Sequence, residues 1–476
     1  MMSDIIYDID QVVAAVSATS KATPESSSAE DEREFYVERH SIKEGTEGFN
    51  DLHPVLLQCA LLRNVVVFIT RQHFFQVTGR NYTYDVFEGE VEGKYLPYCK
   101  IEKYLKQTDQ PDFRILPANV AQAVVRDVVA EWTSYKKLLK KKQRGEYDGY
   151  VSIPGYSDTK HSATFNATYF KATLSKIHLA DGIINIPMSN VSIKTNVPVE
   201  LIRSMKVSYS PGQCFADVVY EKTERTPLKA DNGRYLFADM GLDNFISIGS
   251  NVSSFKPVII DGKEMKSVNR YYNKKISTYT EKMKAIDESF ASDEFTRKLW
   301  ADRKNWFYDK MHLISARLVS WARTLQVNTI IIGHNQRWKD GLPFKKPVKQ
   351  NFAFIPYYIF IRDLKYKASA YGITVVEQEE SYTSKASFLD GDFIPTYKKG
   401  DTEKYEFSGK RIKRGLYRTK DGHLINADIN GAYNIFRKYL QVNSIEYDFS
   451  REAMGVVIPP RRVRLSELKH QGNAVK

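Results

Sequence analysis

Cysteine is scarce in this chain of 476 residues, which contains only Cys59, Cys99 and Cys214. Three cysteines cannot form the disulfide framework of a small secreted domain. The sequence also has no Cys-x-x-Cys pair of the kind that holds a structural zinc ion. We therefore expect neither structural disulfides nor bound zinc.

Long apolar runs and a secretory leader are also missing. No uninterrupted apolar run approaches the roughly 18 residues of a membrane-spanning helix. The first residues do not follow the basic-then-apolar order of a signal peptide. These absences predict a cytoplasmic protein that makes no contact with a membrane.

Acidic residues are outnumbered by basic ones. The chain has 70 Lys and Arg against 57 Asp and Glu, a formal net charge of +13, and aromatic residues make up 13% of it. An excess of positive charge favours a polyanionic partner, and aromatic rings can stack on bases. A basic, solvated surface and an aromatic core are the ordinary alternatives. The length allows roughly three domains of about 150 residues.

The residue pattern changes several times along the chain. Residues 1–34 form an acidic lead without apolar periodicity, which predicts disorder. Apolar residues recur at helical spacing over 46–144, and short β-like runs, including 151–154, follow over 145–228. From 229 onward, strand-like runs alternate with helical stretches, which predicts an α/β domain. The predicted fold is therefore a multidomain α+β protein.

The second long helical stretch ends in a dense basic run. Its members are Lys136, Lys137, Lys140, Lys141, Lys142 and Arg144. Basic residues at a helix end can simply complement the helix dipole. A cluster this dense repels itself without a polyanion, so a contact with a phosphate backbone is the favoured interpretation.

Carboxylates follow three separate elements of the last domain. Asp239 ends an apolar strand and precedes Gly241, whereas Asp428 enters an apolar-periodic helix. Glu377, Glu379 and Glu380 end a further strand, and chemistry alone does not choose among them. Each motif has an ordinary alternative: a turn, a helix N-cap or an acidic loop. Together they are what a two-metal phosphodiester nuclease requires, because acidic side chains hold its two Mg²⁺ ions.

Two histidines lie in this part of the sequence. His312 and His334 are isolated from other metal-ligating residue types in the sequence. Such histidines more often make structural hydrogen bonds than bind a metal ion. We therefore expect both to be structural.

Many ordered motifs of the chain resemble those of TnpB proteins, the RNA-guided DNA nucleases of bacterial insertion sequences. This family is similar to Fanzor proteins and to compact type V CRISPR effectors. The two motifs that carry most of the resemblance are Phe237-Ala-Asp-Met-Gly-Leu-Asp-Asn-Phe245 and Asn426-Ala-Asp-Ile-Asn-Gly-Ala-Tyr-Asn-Ile435. The other matching segments are 61–64, 70–72, 113–117, 120–124, 312–317, 332–339, 350–352, 355–356 and 382–387.

The resemblance implies a domain plan. Residues 35–45 and 145–228 would form a wedge-like β-barrel, with 46–144 inserted as a helical recognition lobe. Residues 229–440 would form a RuvC/RNase H-like α/β nuclease, followed by a C-terminal tail over 441–476.

The resemblance also implies a catalytic centre. Asp239 and Asp428 match the first and last RuvC aspartates of the family, and both would bind metal. Most relatives carry the remaining glutamate where this chain has Gly333, which cannot ligate a metal. Some branches supply it from just ahead of the Thr-Ser pair, and this position corresponds to Glu380, with Glu379 as the second choice. The expected cofactor is two Mg²⁺ ions, with Mn²⁺ as a possible substitute.

A second departure from the family concerns its zinc knuckle. The four cysteine positions are occupied here by Ser387, Asp390, Arg418 and Asp421, so no zinc is expected. The segment 388–418 would be held by backbone pairing or become ordered on nucleic acid. Further contacts with nucleic acid are assigned to Trp338, Lys339, Asn351, Lys410, Arg411, Lys413 and Arg414.

The resemblance implies guide RNA and double-stranded target DNA as partners, and a nucleoid-associated location in the cytoplasm. Base pairing would then supply target specificity. A nuclease-dead, RNA-guided DNA-binding repressor is the competing class, because Gly333 replaces a ligand. A DDE-type transposase would use the same acids without RNA. The sequence leaves the oligomeric state open.

Overall fold

The computed structural model describes residues 35–87, 93–147, 149–157, 169–173, 179–180, 182–186, 188–221, 226–241, 243–334, 355–397, 403–413, 415–449 and 456–470. By its internal contacts the chain divides into two compact units. The first unit comprises 1–224 with 280–301, and the second comprises 225–279 with 302–476.

The helices of the first unit lie within the stretch for which the sequence predicts helices. They are α1 (Glu47–Val77), α2 (Tyr98–Gln107), α3 (Pro111–Arg114) and α4 (Ala118–Gln143). Helix α1 begins after Thr46, whose side-chain oxygen accepts a hydrogen bond from the backbone N–H of Phe49. Such an N-cap satisfies one of the amide groups that a helix start leaves unpaired.

Helix α1 is, by length and composition alone, long and apolar enough to cross a membrane. The sequence suggested no such span, because isolated polar residues interrupt its apolar ones. Half of the most apolar window of α1 is buried inside the protein, and side chains such as Leu52 and Leu56 belong to the core of the first unit. Core helices of globular proteins share these properties, so the length of α1 is weak evidence for a membrane span.

The strands of the first unit are antiparallel. They are β1 (Phe35–Lys43), β2 (Tyr169–Thr173), β3 (Leu179–Ala180), β4 (Ile183–Asn185), β5 (Ser192–Lys194), β6 (Ile202–Ser210) and β7 (Gln213–Glu221). One sheet has the order β1-β7-β6-β2, and β3, β4 and β5 form a second, small sheet. In the described part of the chain, β1 and β2 are the edges of the larger sheet. The wedge-like barrel therefore stays a prediction.

The run 151–154, predicted as a strand, has no regular structure. The carbonyl oxygen of Pro154 accepts a hydrogen bond from Arg71, and that of Gly155 accepts one from Arg63. Both arginines are on α1. In a β-strand these carbonyl oxygens would accept hydrogen bonds from a neighbouring strand. Here they accept them from arginine side chains of α1 instead.

The second unit is built around a six-stranded mixed sheet. The strands of this sheet are β8 (Tyr235–Met240), β9 (Asn244–Ser250), β10 (Val258–Asp261), β11 (Thr329–Gly333), β12 (Thr374–Gln378) and β16 (Arg461–Val463). A separate antiparallel sheet consists of β13 (Lys410–Lys413), β14 (Leu416–Arg418) and β15 (Leu424–Asn426). The order of the large sheet is β12-β11-β8-β9-β10-β16. Strands β12, β11 and β8 are parallel, as are β10 and β16, while β8, β9 and β10 are antiparallel.

Helices cover both faces of this sheet. They are α5 (Lys263–Ile286), α6 (Glu294–Thr324), α7 (Tyr357–Ser369), α8 (Ala427–Val442) and α9 (Leu465–His470). Leu236 and Ala238 of β8 share one apolar core with α6 and α7. Phe237 points to the opposite face and stacks on Phe436 of α8, with ring centroids 4.7 Å apart. This alternation places Asp239, two residues after Phe237, on the face that α8 covers.

The sequence pattern from about 267 to 325 predicts one long helical region, but the structure divides it into α5 and α6. The backbone N–H of Thr296 donates to Asp293 Oδ1, and the N–H of Asp293 donates to Thr296 Oγ1. This reciprocal cap starts a new helix where the sequence pattern alone appears continuous. The tip of the helix pair, 280–301, groups with the first unit.

Residues 441–476, predicted to be a C-terminal tail, contribute to the large sheet. Strand β16 pairs in parallel with β10, and Val463, Leu465 and Leu468 are buried in the apolar core of the second unit. Strand β10 would otherwise be a sheet edge with unpaired backbone groups, and β16 satisfies them. Residues 461–470, predicted as part of a C-terminal tail, therefore belong to the folded second unit.

Candidate carboxylate centre

Parallel strand pairing brings the predicted acids to one edge of the large sheet. In the register of β8, β11 and β12, Asp239 is opposite Gly333, and Gly333 is opposite Gln378. Glu380 follows Gln378 by two residues. Parallel strands end at the same edge, so the residues that follow β12 reach the side of Asp239.

Asp428 reaches this edge from the first turn of α8. Its backbone N–H donates to Asn426 Oδ1 over 3.0 Å, so Asn426 is the N-cap of the helix. The alternative interpretation of Asp428 as an ordinary N-cap was therefore wrong. Its carboxylate is left to interact with other elements.

Two glycines leave room for the acids. A Cβ atom on Gly431 of α8 would lie 2.6 Å from Asp239 Oδ2, and one on Gly333 would lie 3.0 Å from Glu380 Oε2 and 2.2 Å from Ile435 Cδ1. The 2.6 Å and 2.2 Å contacts are too close for a real side chain, and the 3.0 Å contact is tight. Gly333 thus leaves space for Ile435 and for the Glu380 carboxylate beside it.

Of the three glutamates that the sequence could not separate, Glu377 is engaged in an ion-pair network. His334 Nδ1 lies 2.7 Å from its Oε2, and Lys365 Nζ donates to Oε1 over 2.5 Å. The hydrogen bond with His334 is the main reason that the pKa of Glu377 is lowered to about 2. His334 is therefore a structural partner of Glu377, as expected, and His312 similarly lies 3.3 Å from Asp363.

Glu379 is held by a buried lysine. Lys438 of α8 is fully buried and donates to Glu379 Oε2, and it also donates to the carbonyl oxygens of Ser381 and Pro395, each over 2.9 Å. The backbone N–H of Ser381 donates to Glu379 Oε1 over 2.7 Å. Both carboxylate oxygens of Glu379 thus have structural partners.

Glu380 has no comparable partner. Its Oε2 atom is buried and accepts no hydrogen bond among the residues that the structure describes. Burial raises the pKa of Glu380 to about 9, and the charges of Asp239 and Glu379 add to this effect. An orphaned carboxylate oxygen is costly, which indicates a ligand or proton at this position.

The charge of Asp239 interacts with the charges of both other acids, Asp428 and Glu380. Burial raises its pKa to about 7, and repulsion from Asp428 adds to the shift. The hydroxyl of Tyr357 donates to the carbonyl oxygen of Gly241 over 2.7 Å, which ties α7 to the turn after β8. Burial raises the pKa of Tyr357, and the charges of Glu380 and Asp239 contribute to the shift. These groups therefore share one poorly solvated environment.

Each carboxylate oxygen of Asp428 has its own donor. Asn244 Nδ2 donates to Oδ2 over 2.6 Å, and Arg411 Nη2 lies 3.3 Å from Oδ1. Arg411, one of the residues assigned above to a nucleic-acid contact, is on β13 and lies beside this acid. Asn244 in turn accepts a hydrogen bond from Arg462 Nη1 over 3.1 Å. Asn244 and Arg462 were missed in the sequence, where the first resembles a turn residue and the second a tail residue.

The fit of these residues to Mg²⁺ rests on donor chemistry. Among the described residues, no three His, Cys, Asp or Glu side chains are grouped closely enough to hold an ion. Instead, Asp239 interacts with Asp428 and with Glu380 as two separate pairs. Carboxylate oxygens are the ligands that Mg²⁺ prefers, and a divalent cation would offset both repulsions. The donor types of the acids therefore suit Mg²⁺, but the described structure does not group the three acids around one ion position.

The former zinc-knuckle positions have other roles. Asp390 Oδ2 accepts a hydrogen bond from the backbone N–H of Lys420, and Asp392 Oδ2 accepts one from that of Ser387. Strands β13 and β14 pair within the segment predicted to rely on backbone pairing. The hydroxyl of Tyr417 donates to the carbonyl oxygen of Lys385. Hydrogen bonds, including one from the Tyr417 side chain, thus hold the described part of this segment.

The other residues predicted to bind nucleic acid are divided between the two units. The α4 residues belong to the first unit, where Lys136, Lys137, Lys140, Lys141, Lys142 and Arg144 are all exposed. Lys410 and Lys413 are exposed on β13 in the second unit. Trp338, Lys339, Asn351 and Arg414 lie outside the described residues. These assignments stay predictions.

Replacing Glu377 with glutamine is expected to lower the free energy of unfolding by about 1–2 kcal/mol, because charged hydrogen bonds to His334 and Lys365 are lost. The folded-state pKa of Glu377 is lowered from 4.5 to about 2. Its contribution is therefore present above pH 4.5 and lost as the pH falls toward 2. Urea denaturation at pH 7 and pH 3 measures this. An equal difference between wild type and variant at both pH values would contradict it.

With the geometry described, comparisons with known proteins become informative. The family model of the Cas12f1-like TNB domain matches residues 357–435, which include Glu380 and Asp428. TnpB-like protein ORF457 of Acidianus two-tailed virus is 23% identical over 421 residues, covering 80% of this chain and 82% of the relative.

Solved structures with similarity to this chain include a Cas12f1–sgRNA–target DNA complex. It is 11% identical, with a TM-score of 0.44 and coverage of 81% of this chain and 82% of that one. Another is the mini-RNA-guided endonuclease CRISPR-Cas_phi3, 9% identical, with a TM-score of 0.34 and coverage of 85% and 92%.

The fold and the site define a multidomain α+β protein whose second unit gathers carboxylates at one edge of a mixed sheet. The residues that match the family model include all of helix α7, the turn that contains Glu380 and the first part of α8 with Asp428. The family model and the viral relative support a TnpB-family protein.

Proposed function

We propose that the protein is an RNA-guided DNA endonuclease of a transposable element, which cleaves target DNA by metal-dependent hydrolysis in a RuvC-like site. One observation carries the proposal. Glu380 alone of the three candidate glutamates has an unpartnered buried oxygen, and its carboxylate faces Asp239 across Gly333.

The order of elements supports the RuvC-like interpretation of the second unit. A β-hairpin of β8, β9 and β10 is followed by helices, two parallel strands and the acidic helix α8. Asp239 comes from the central strand β8, Glu380 from the turn after the edge strand β12, and Asp428 from helix α8, which packs on the same face. In the proposed function, the first unit supplies the wedge and the helical recognition lobe.

Asp239, Glu380 and Asp428 would hold Mg²⁺, or Mn²⁺ in its place. When bound there, the ions would lower the pKa of a coordinated water and neutralise charge on the phosphodiester. Asn244 and Arg411 orient the two oxygens of Asp428, whereas Gly333 and Gly431 keep the space around the other two acids clear. Burial on the sheet face limits access of bulk water to Asp239.

Guide RNA and double-stranded target DNA are the proposed partners, on the strength of the family assignment. Base pairing would select the target, while the protein would hold the heteroduplex by its backbone and shape. The exposed basic residues of α4 and β13 carry the positive charge that phosphates require. Binding should accordingly weaken steeply with salt.

Asp239→Asn and Asp428→Asn should each abolish plasmid cleavage in the presence of Mg²⁺ and the cognate guide RNA. Binding of RNA and target should remain near the wild-type level, because the acids are not the groups that attract phosphate. Cleavage and filter-binding assays measure the two properties. Asp261→Asn is the control, since this acid ends β10 but accepts a hydrogen bond from the backbone N–H of Lys263.

Three outcomes would contradict the proposal. Loss of RNA and DNA binding in both variants would make the acids structural. A wild-type protein that binds the guided target without cutting it would be the DNA-binding regulator. Cleavage or strand transfer without RNA would indicate the transposase class.

A further inference from the structure

The C-terminal strand β16 is connected to the carboxylate centre through one amide. Arg462 Nη1 donates to Asn244 Oδ1 over 3.1 Å, and Asn244 Nδ2 donates to Asp428 Oδ2 over 2.6 Å. Arg462 and Asn244 are 218 residues apart in the sequence. The three side chains form a continuous chain of hydrogen bonds that ends on a proposed metal ligand.

The chemistry of these groups permits only one direction along the chain. A guanidinium group has donors and no acceptor, whereas an amide has one accepting oxygen and one donating nitrogen. Within the Asn244 amide, only Oδ1 can therefore accept the hydrogen bond from Arg462. This orientation turns the NH₂ group of Asn244 toward Asp428, where it can donate to the carboxylate.

The backbone fixes both ends of this relay. Strand β16 pairs in register with β10, with Arg462 opposite Ile259, and Val463 is buried in the apolar core. Asn244 begins β9, and the N–H of Gly241 donates to the carbonyl oxygen of Phe245 across the turn. Neither end can move without breaking sheet pairing, so the hydrogen bonds hold Asp428 in one orientation.

We propose that Arg462 is a positioning residue of the nuclease centre, acting through Asn244 on Asp428. The inference rests on the proposed function insofar as Asp428 is taken as a metal ligand. It assigns the last strand a role in the chemistry, although that strand is far from the acids in sequence. Partners that orient metal ligands change metal affinity or activity by about 10–100-fold when they are removed.

The test compares Arg462→Met with Arg461→Met in the full-length protein bound to its guide RNA. Arg461 is one residue earlier on the same strand, so its side chain points to the opposite face. Arg462→Met should weaken Mn²⁺ binding and slow cleavage, each by about 10–100-fold, with an unchanged melting temperature. Arg461→Met should match the wild type in all three measurements. Titration followed by Mn²⁺ electron paramagnetic resonance gives the affinity independently of catalysis.

Two further variants separate positioning from a general loss of charge. Arg462→Lys, which keeps a donor, should recover part of the Mn²⁺ affinity. Asn244→Ala should reproduce the loss, and the Arg462→Met/Asn244→Ala double variant should be no worse than Asn244→Ala alone, because both changes interrupt one relay. Additive losses in the double variant would overturn the proposal.

The outcomes distinguish this inference from the proposed function. If the wild type cleaves and Arg462→Met is indistinguishable from Arg461→Met, the relay fails and the nuclease assignment stands. If the wild type does not cleave but binds Mn²⁺ in a manner that Asp428→Asn removes, the nuclease assignment fails and the Mn²⁺ affinities still test the relay. A wild type without a Mn²⁺ site sensitive to Asp428→Asn would overturn both.

Discussion

Replacing Glu380 with glutamine should reduce target cleavage by about 10⁴-fold, the scale on which an essential catalytic group contributes. Glutamine keeps the shape of the side chain but removes the negative charge that a divalent cation requires. Folding should not suffer, because the Glu380 carboxylate is buried beside Asp239 without a donor of its own. The variant should therefore melt at or above the wild-type temperature and bind guide RNA and target normally.

Glu377→Gln provides the matched control for this experiment. The change is chemically identical and three residues away, but the Glu377 carboxylate is engaged with His334 and Lys365. It should cost stability and leave cleavage within a few-fold of wild type. Single-turnover cleavage with saturating guide RNA separates the two variants. Equal cleavage by both would refute the assignment of the relocated glutamate to Glu380.

Replacing Lys438 with methionine should destabilise the protein by about 3 kcal/mol, because removing one partner of a buried ion pair leaves the other groups unsatisfied. Lys438 is fully buried and donates to Glu379 and to the carbonyl oxygens of Ser381 and Pro395. Loss of these bonds releases the turn that carries Glu380. Cleavage should therefore fall along with the free energy of unfolding, which urea denaturation measures.

A double variant and an exposed lysine control this prediction. Glu379→Met combined with Lys438→Met removes both charges and should recover part of the lost stability, since an apolar pair can replace a buried ion pair. Lys385→Met, at an exposed position in the same loop, should change the free energy of unfolding by less than about 0.5 kcal/mol. A cost below about 1 kcal/mol for Lys438→Met would mean that the pair does not hold the turn.

Helix α8 also holds the loop that contains the pair Thr383 and Ser384. Asn434 Nδ2 donates to the carbonyl oxygens of Thr383 and Ala386, and Asn430 both donates to Ala386 and accepts from the N–H of Phe388. Both asparagines are fully buried. Helix α8 thus carries Asp428 on its first turn, and it holds the loop after Glu380 through Asn430 and Asn434.

The sequence by itself determined the elements that carry the acids. Alternating and continuous apolar runs predicted β8, β9, β10, β11 and β12, and helical spacing predicted α1, α4 and α8, because local periodicity reflects which face of an element is buried. It also placed Asp239 at a strand end and Asp428 at a helix start. Chemistry alone left Glu377, Glu379 and Glu380 open as the third acid, and the family resemblance assigned Glu380, with Glu379 as the second choice. These properties depend on residues close together in the chain.

Only the tertiary structure shows that the three glutamates differ in their partners and that the last strand contacts Asn244. The partners that engage Glu377 and Glu379 are His334 and Lys438, 43 and 59 residues away. The relay from Arg462 to Asn244 spans 218 residues. Hydrogen bonds of this kind form where the chain returns to the same sheet edge, and no local pattern records which distant donor will meet a given carboxylate.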